Sequence, residues 1–346
     1  TGSILSELSP KDQWCWQGRA VKLIDGTTVT LSDTPENQAV YPQQAEQAPG
    51  LGFPICRIVG IICLASGGVL NAAIGPYKGK GASEQTLLRG MLDTFDAGDV
   101  VLGDALFGDY FLLSELLARG VDGVFEQFGA RKTTTDFRKG KKLGHKDHLI
   151  IYQKPKKKPD WMTEEYYLAA PETLTIRELR IGKKILVTTI LSPADATSRS
   201  LKNLYKDRWH VELDLRNIKT TLGMETLRCK TPEMAEREMW TYFLAYNLIR
   251  IIMAEAASWA DLLPRQLSFK HALQLWRACL RESFSLNDHE KVQRLLSAIA
   301  QNIVGNRPGR IEPRAVKRRP KPFPLLTKAR EQARAEVKKN GHPKKK

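Results

Sequence analysis

Residues 204–223, LYKDRWHVELDLRNIKTTLG, read as one helix, and they constrain the chain more than any other stretch. Leu204, Trp209, Leu213 and Leu215 are placed to hold that helix against a core. Tyr205, Arg208, Glu212 and Lys219 follow one another at steps of three, four and seven residues. At about 100° per residue they share an arc of roughly 60°. One carboxylate is thus presented beside a phenol, a guanidinium and an ammonium, an arrangement able to hold a metal ion and a phosphate together. The plainer reading is a solvated stripe, in which Arg208 and Glu212 form an i,i+4 pair worth about 0.2–0.5 kcal/mol.

The chain before this helix alternates between strand-like and helix-like runs. Residues 20–24, AVKLI, read as a short strand ending at Asp25-Gly26, with a second strand-like run, TTVTL, at 27–31. Asp-Gly at such a boundary is ordinary hairpin chemistry, and a ligand role for Asp25 is the competing reading. Residues 34–52 are polar and proline-bearing, hence a loop. Residues 54–74, PICRIVGIICLASGGVLNAAI, approach the length of a membrane span. Arg57 lies inside them, Gly67-Gly68 interrupt them and β-branched residues crowd their first half. Two antiparallel strands joined at Ser66-Gly67-Gly68 are therefore expected, and no membrane association. Ser83 and Glu84 open a helix expected to run to Phe95.

DVVLGDA, at 99–105, reads as a buried central strand with Asp104 at its C-terminal end. That edge is where ligands gather in open α/β sheets. Asp109 is the better cap for the helix that follows, which leaves Asp104 without a structural role. A further strand is expected at 121–128. The segment 129–180 then departs from this rhythm: 131–160 is basic, and short strands are expected at 166–169, 174–181 and 184–191. It reads as a β-rich insertion, after which ILVTTIL rejoins the main sheet and Ser198 caps the long helix. Residues 233–257 form a buried helix whose Trp240, Tyr242, Phe243 and Tyr246 read as core rather than as a base-stacking platform. Two more helices are expected at 269–284 and 290–303, and a loop or short helix at 11–16.

The formal net charge is +16 over 346 residues, which favours a polyanionic partner. Segment 131–158 holds eleven lysines and arginines against Asp136 and Asp147, and segment 305–346 holds fifteen against Glu312, Glu331 and Glu336. A solvated tail is the competing reading for the last fifteen residues. The five cysteines show neither zinc spacing nor a disulfide pattern, which suits a reducing cytosol. No signal peptide is evident, and the start at Thr rather than Met leads us to expect a processed or truncated piece.

The Tyr-Arg-Glu-Lys spacing, and the words RWHVELDLRNIKTTLGMETLRCKTPEM around it, resemble the insertion-sequence-4 family of DDE transposases. DGTTV followed by DTPENQ resembles the segment that carries the first acid in that family, and Asp104 matches the second. Relatives often have Arg after the second acid where this chain has Ala105. The resemblance implies an α/β fold with a ribonuclease-H-like mixed sheet, a β-rich insertion between the second and third acids, and a helical C-terminal region. Segments 20–128 and 181–230 would form the catalytic core, 129–180 the insertion and 231–304 the helical region. Segment 1–19 would lead and 305–346 trail as a basic tail. It further implies Asp25, Asp104 and Glu212 as catalytic metal ligands for two Mg²⁺ ions, with Mn²⁺ as a substitute. Carboxylates without a His or Cys cluster suit such hard cations. Two ions about 3.5–4 Å apart serve phosphodiester chemistry. Tyr205, Arg208 and Lys219 would bind DNA at the transposon ends. The insertion of the family usually adds an aromatic partner for a flipped base, and the context of Trp161 is too poor a match to nominate it. The implied activity is cut-and-paste transposition of double-stranded DNA between inverted-repeat ends and a target, by a homodimer on DNA in the bacterial cytosol. A DNA-binding remnant without activity and a general Mg²⁺ nuclease are the alternatives.

Overall fold

Val21–Thr30 form one unbroken strand, β1. The hairpin turn that Asp25-Gly26 suggested is absent. Pairing with β2 (Ile55–Cys63) runs antiparallel along the whole length, from Lys22 opposite Cys63 to Thr30 opposite Ile55. Leu23, Ile24 and Val29 are buried by that pairing, and a turn at Asp25 would forfeit it. The computed structural model describes residues 14–79, 82–127, 129, 131–281, 288–305 and 328–341. Residues 11–13 of the expected N-terminal loop or helix lie outside them.

β2 turns back into β3 (Val69–Pro76) as expected, through Gly67 with φ of 77°. Helix α1 (Pro35–Val40) interrupts the expected 34–52 loop, capped by Thr34. Helix α2 (Glu84–Arg89) is shorter than expected, because Gly90 ends it. A 3₁₀ turn at Leu92–Thr94 then keeps Met91, Leu92 and Phe95 in the core without a helix. β4 (Val100–Gly103) leads to α3 (Tyr110–Ala118), and the Asp109 carboxylate caps that helix by accepting from the Phe111 and Leu112 amides. β5 spans Asp122–Glu126, and Phe128 of the expected strand lies outside the described residues.

The strands β6 (Lys141–Gly144), β7 (Asp147–Gln153), β8 (Thr173–Ile181) and β9 (Lys184–Thr188) complete one nine-stranded sheet in the order β3-β2-β1-β4-β5-β9-β8-β7-β6. β1, β4 and β5 are mutually parallel, and the other pairs are antiparallel. The strands of segment 129–180 therefore extend the sheet rather than stand apart from it. The strand expected at 166–169 is instead part of helix α4 (Glu164–Ala169), which Thr163 caps.

The single helix expected over 204–223 is three helical segments: α5 (Ser198–Asp207), α6 (His210–Arg216) and a π-turn at Asn217–Thr221. Arg208 and Trp209 keep helical backbone angles between α5 and α6. There the bonds tighten to i→i+3, with Val211 N–H donating to Arg208 and Glu212 N–H to Trp209. Thr197 caps α5, not Ser198, whose hydroxyl donates to Asp147. Trp209 was expected to face the core and is 58% exposed. Leu204 and Leu215 are buried anchors as expected, joined by Val211 and Ile218.

Helices α7 (Pro232–Trp259), α8 (Phe269–Arg281) and α9 (His289–Ala300) form the helical C-terminal region. Phe243 and Tyr246 are core residues as expected, whereas Trp240 is exposed. Residues 282–284 of the expected helix and 306–327 of the basic tail lie outside the described residues. Helix α10 (Arg330–Asn340) shows that part of the tail docks. Arg330 donates to the Leu51 and Gly52 carbonyls, pairs with Asp33 and stacks on Phe53 at 3.6 Å.

Each face of the sheet carries its own core. One contains Leu23, Val29 and Leu102 with α5, α6, α7, α8 and α9. The other contains Ile24, Val59 and Val101 with α2 and α3. A buried network locks the first layer. The fully buried Asp214 of α6 receives Arg250 at 2.5 Å and Arg265 at 2.7 and 2.8 Å. Arg265 also donates to the Cys63 and Leu64 carbonyls, and the Tyr246 hydroxyl lies 2.9 Å from the Gly67 carbonyl and 3.0 Å from Asp214. Asp214 thereby ties α6 to the β2–β3 turn and to α7, two residues from Glu212.

Candidate active site

The register of the parallel strands places the first two acids. Leu23 of β1 lies opposite Leu102 of β4. Asp25 and Asp104 each lie two residues further on (25 − 23 and 104 − 102), so alternation returns both to the face of the sheet covered by α5 and α6. Each carboxylate uses one oxygen on local backbone: Asp25 accepts from Gly26 N–H and Asp104 from Leu106 N–H, both at 2.8 Å. Asp104 thus caps a 3₁₀ turn at Ala105–Phe107, a structural role that Asp109 was expected to leave it without.

The helical residues converge on the same strand ends. The Tyr205 hydroxyl donates to the carbonyl of Gly103, next to Asp104, at 3.2 Å. Burial pushes the Tyr205 phenol pKa well up, so it stays a neutral donor. Arg208 Nη2 grips Glu212 Oε1 at 2.9 Å, and its charge also acts on Asp25. Lys219 Nζ donates to Thr27 Oγ1 at 3.3 Å. Thr27 is two residues after Asp25 and shares its face of β1. Lys219 belongs to the π-turn, a distortion that often marks functional positions.

Burial pushes the Asp25 carboxyl up to about 6; the Gly26 N–H and Arg208 pull it down, while the charges on Asp104 and Glu84 push it further up. In sequence Glu84 marks only the start of a helix. It forms an ion pair with Arg57 at 3.6 Å, and its carboxylate lies directly over Gly26. A Cβ on Gly26 would stand 2.2 Å from the Glu84 carboxyl carbon. The sequence signal for this contact was the glycine after Asp25, which reads equally well as a turn.

Trp161 is on the other side of the sheet, packed edge-on to Phe111 and beneath the Arg89 guanidinium at 3.8 Å. It is committed to the core there and cannot meet a base held at Tyr205.

A protein-family model described as a transposase DDE domain matches residues 16–248. The chain belongs to that family. It is 29% identical over 349 residues to the transposase InsG for insertion sequence element IS4 of Escherichia coli (strain K12), an alignment covering 95% of this chain and 74% of that one. It is also 31% identical over 106 residues to the putative transposase InsZ of the same strain, covering 30% of this chain and 34% of that one. The protein is a DNA transposase with a ribonuclease-H-like fold, a nucleotidyl-transferase-type enzyme of a family that uses divalent metal ions. No helix among the described residues is long and apolar enough to cross a membrane.

The donor set fits such an ion in chemistry. Its groups are carboxylates, and the mutual repulsion of Asp25 and Asp104 is what a cation would relieve. No three acids are gathered closely enough to hold an ion among the described residues. Arg208 occupies that place in charge, facing Asp25 while it holds Glu212.

The raised pKa of Asp25 gives a measurable sign. The folded carboxyl, at about 6, binds its proton more tightly than the unfolded one near 3.8. Without divalent ions, stability should therefore be fully present below the unfolded value and fall as pH rises from about 4 to about 6, by at most about 3 kcal/mol. Urea unfolding at stepped pH should show this fall, and Asp25→Asn should make it smaller, the remainder coming from the other carboxyls that burial pushes up, Glu84, Asp109, Glu115 and Asp207.

Proposed function

We propose that this chain cuts DNA at the inverted-repeat ends of an insertion sequence and joins the ends to target DNA. Asp25, Asp104 and Glu212 would hold two Mg²⁺ ions, or Mn²⁺ in their place, and Tyr205, Arg208 and Lys219 would hold the strand. The observation that supports the reading is the register that sets Asp25 and Asp104 at the ends of neighbouring parallel strands, with Arg208 bonded to Glu212 and acting in charge on Asp25. Bound ions would activate the attacking hydroxyl and stabilise the leaving 3′-oxygen.

The protein's own residues do the rest. Arg208 would release Glu212 to grip a phosphate as a fork, which would free the Glu212 carboxylate for a cation. Lys219 adds a point charge from the Thr27 side. Tyr205 stays protonated, and its one O–H would leave the Gly103 carbonyl to donate to a phosphate oxygen. Without a cation, burial holds the Asp25 carboxyl up at about 6, and a bound cation would favour its charged form. Two ends must be held at once, which calls for a homodimer on DNA in the bacterial cytosol.

The test is cleavage and joining by the purified chain, with Mg²⁺, on linear DNA ending in the repeats that flank its own reading frame. End-specific nicking followed by joining is expected. Cutting without regard to the ends, or binding without cutting, would replace this reading with a general nuclease or an inactive binder.

A further inference from the structure

A second site lies on the same helix. A cavity of about 330 Å³ opens between the β8–β9 turn and the first two turns of α5. Arg180 lines it from β8, and Arg199, Lys202 and Lys206 line it from α5, with Ser198 and Asn203 among the other lining residues. No Asp or Glu is in the lining. Steps of three and four residues put the three α5 cations on one face, spread along about 10 Å of helix. Leu201, Leu204 and Tyr205 are buried on the opposite face.

The nearby acids do not neutralise this wall. Asp147, which Ser198 touches, is buried and clamped by both arms of Arg177 at 2.6 and 2.8 Å. Asp207 is 3.9 Å from His210 and is shared in charge by His210, Arg265 and Lys206, so it offsets Lys206 only in part. None of the four cations forms an ion pair among the described residues; Lys206 only donates to Asn203, at 3.3 Å. Like charges three and four residues apart destabilise a helix in isolation. A helix that carries them around an open cavity is built to meet an anion.

Resting on the reading of the chain as a DNA-cutting enzyme, we infer that this cavity is a second DNA-backbone site. It holds phosphates of the strand that runs along α5 into the active site. Arg180 and Arg199 supply forks for phosphate oxygens, and Lys202 and Lys206 supply point charges. Continuity with the active site supports the assignment. Lys184, just past the β8–β9 turn, has its ammonium 5.9 Å from the Tyr205 ring and pairs with Glu126 at the end of β5, so the cavity and the active site share one edge of the sheet. The cavity anchors the strand about two turns of helix before the cut, so a phosphate reaches Arg208 already aligned.

The test is binding of the full chain to a fluorescent duplex carrying its terminal repeat, by anisotropy without divalent ions, from about 50 to 200 mM salt. Each phosphate contact adds about 0.9 to the slope of log affinity against log salt. The triple variant Arg199→Ala/Lys202→Ala/Lys206→Ala should lose about 2–3 from that slope. Arg180→Ala, on a different element, should lose about 1, and Lys202→Arg should keep the parent slope. The charge control Lys291→Ala/Arg294→Ala on α9 should leave the slope unchanged. An unchanged slope in the triple variant, with a parent that binds, overturns this site alone. An equal loss per charge in the α9 control also overturns it, by showing that net charge and not place decides. A parent that binds no DNA removes this site together with the function it rests on.

Discussion

Asp104→Ala and Glu212→Gln should each slow DNA cleavage by about a thousandfold or more, while affinity for terminal DNA without divalent ions stays within about threefold of the parent. The size follows from what a metal clamp contributes to the transition state, several kcal/mol, of which about 4 kcal/mol corresponds to a factor of a thousand. The separation between cutting and binding follows from the geometry. Asp104 spends one oxygen on Leu106 N–H and contributes no positive charge to DNA, so its loss costs no phosphate contact. Glu212→Gln releases Arg208 from its ion pair, which leaves the guanidinium more available to phosphate. Single-turnover cleavage and anisotropy on the same preparations measure both quantities. Equal losses in cutting and binding would make the acids structural rather than catalytic.

Asp214→Ala should lower folding stability by about 3–5 kcal/mol, the cost typical of removing one partner from a buried ion pair. Arg250 is 3% exposed and loses the carboxylate it holds at 2.5 Å, and Arg265 loses two bonds of 2.7 and 2.8 Å. Asp214→Asn keeps the shape but not the charge, and should fall between the parent and the alanine variant. Urea unfolding reads the effect directly. A change below about 0.5 kcal/mol would show that α6 is held by its apolar face alone. Because Asp214 is two residues from Glu212, activity per folded molecule should also drop in Asp214→Asn, as the helix that carries the third acid loosens.

Much of the fold around the candidate acids was legible because it is written in local patterns. The hairpin at Ser66–Gly68 and the cap at Asp109 depend on neighbours in sequence, and the structure has them. The features that were missed depend on partners far along the chain. Asp25-Gly26 looks like a turn until β2 is laid beside it and holds the strand straight. Trp209 looks like a core residue until α5 and α6 tighten at their junction and turn it outward. Tyr166 sits in a β-like run, yet Thr163 caps a helix there. Glu84 looks like an ordinary first-turn acid, and only the bare backbone of Gly26 lets its carboxylate rest against β1, where its charge reaches Asp25. Asp214 carries no sequence signal at all. Its two arginines come from 36 and 51 residues away.

The most direct measurement is calorimetric titration of Mn²⁺ into the full chain bound to uncut terminal DNA, at pH 7.5, well above the Asp25 transition. The parent should bind Mn²⁺, and Asp25→Asn, Asp104→Asn and Glu212→Gln should each weaken that binding by about tenfold or more. Undiminished Mn²⁺ binding in all three variants would place the metal elsewhere and contradict the assignment of these acids.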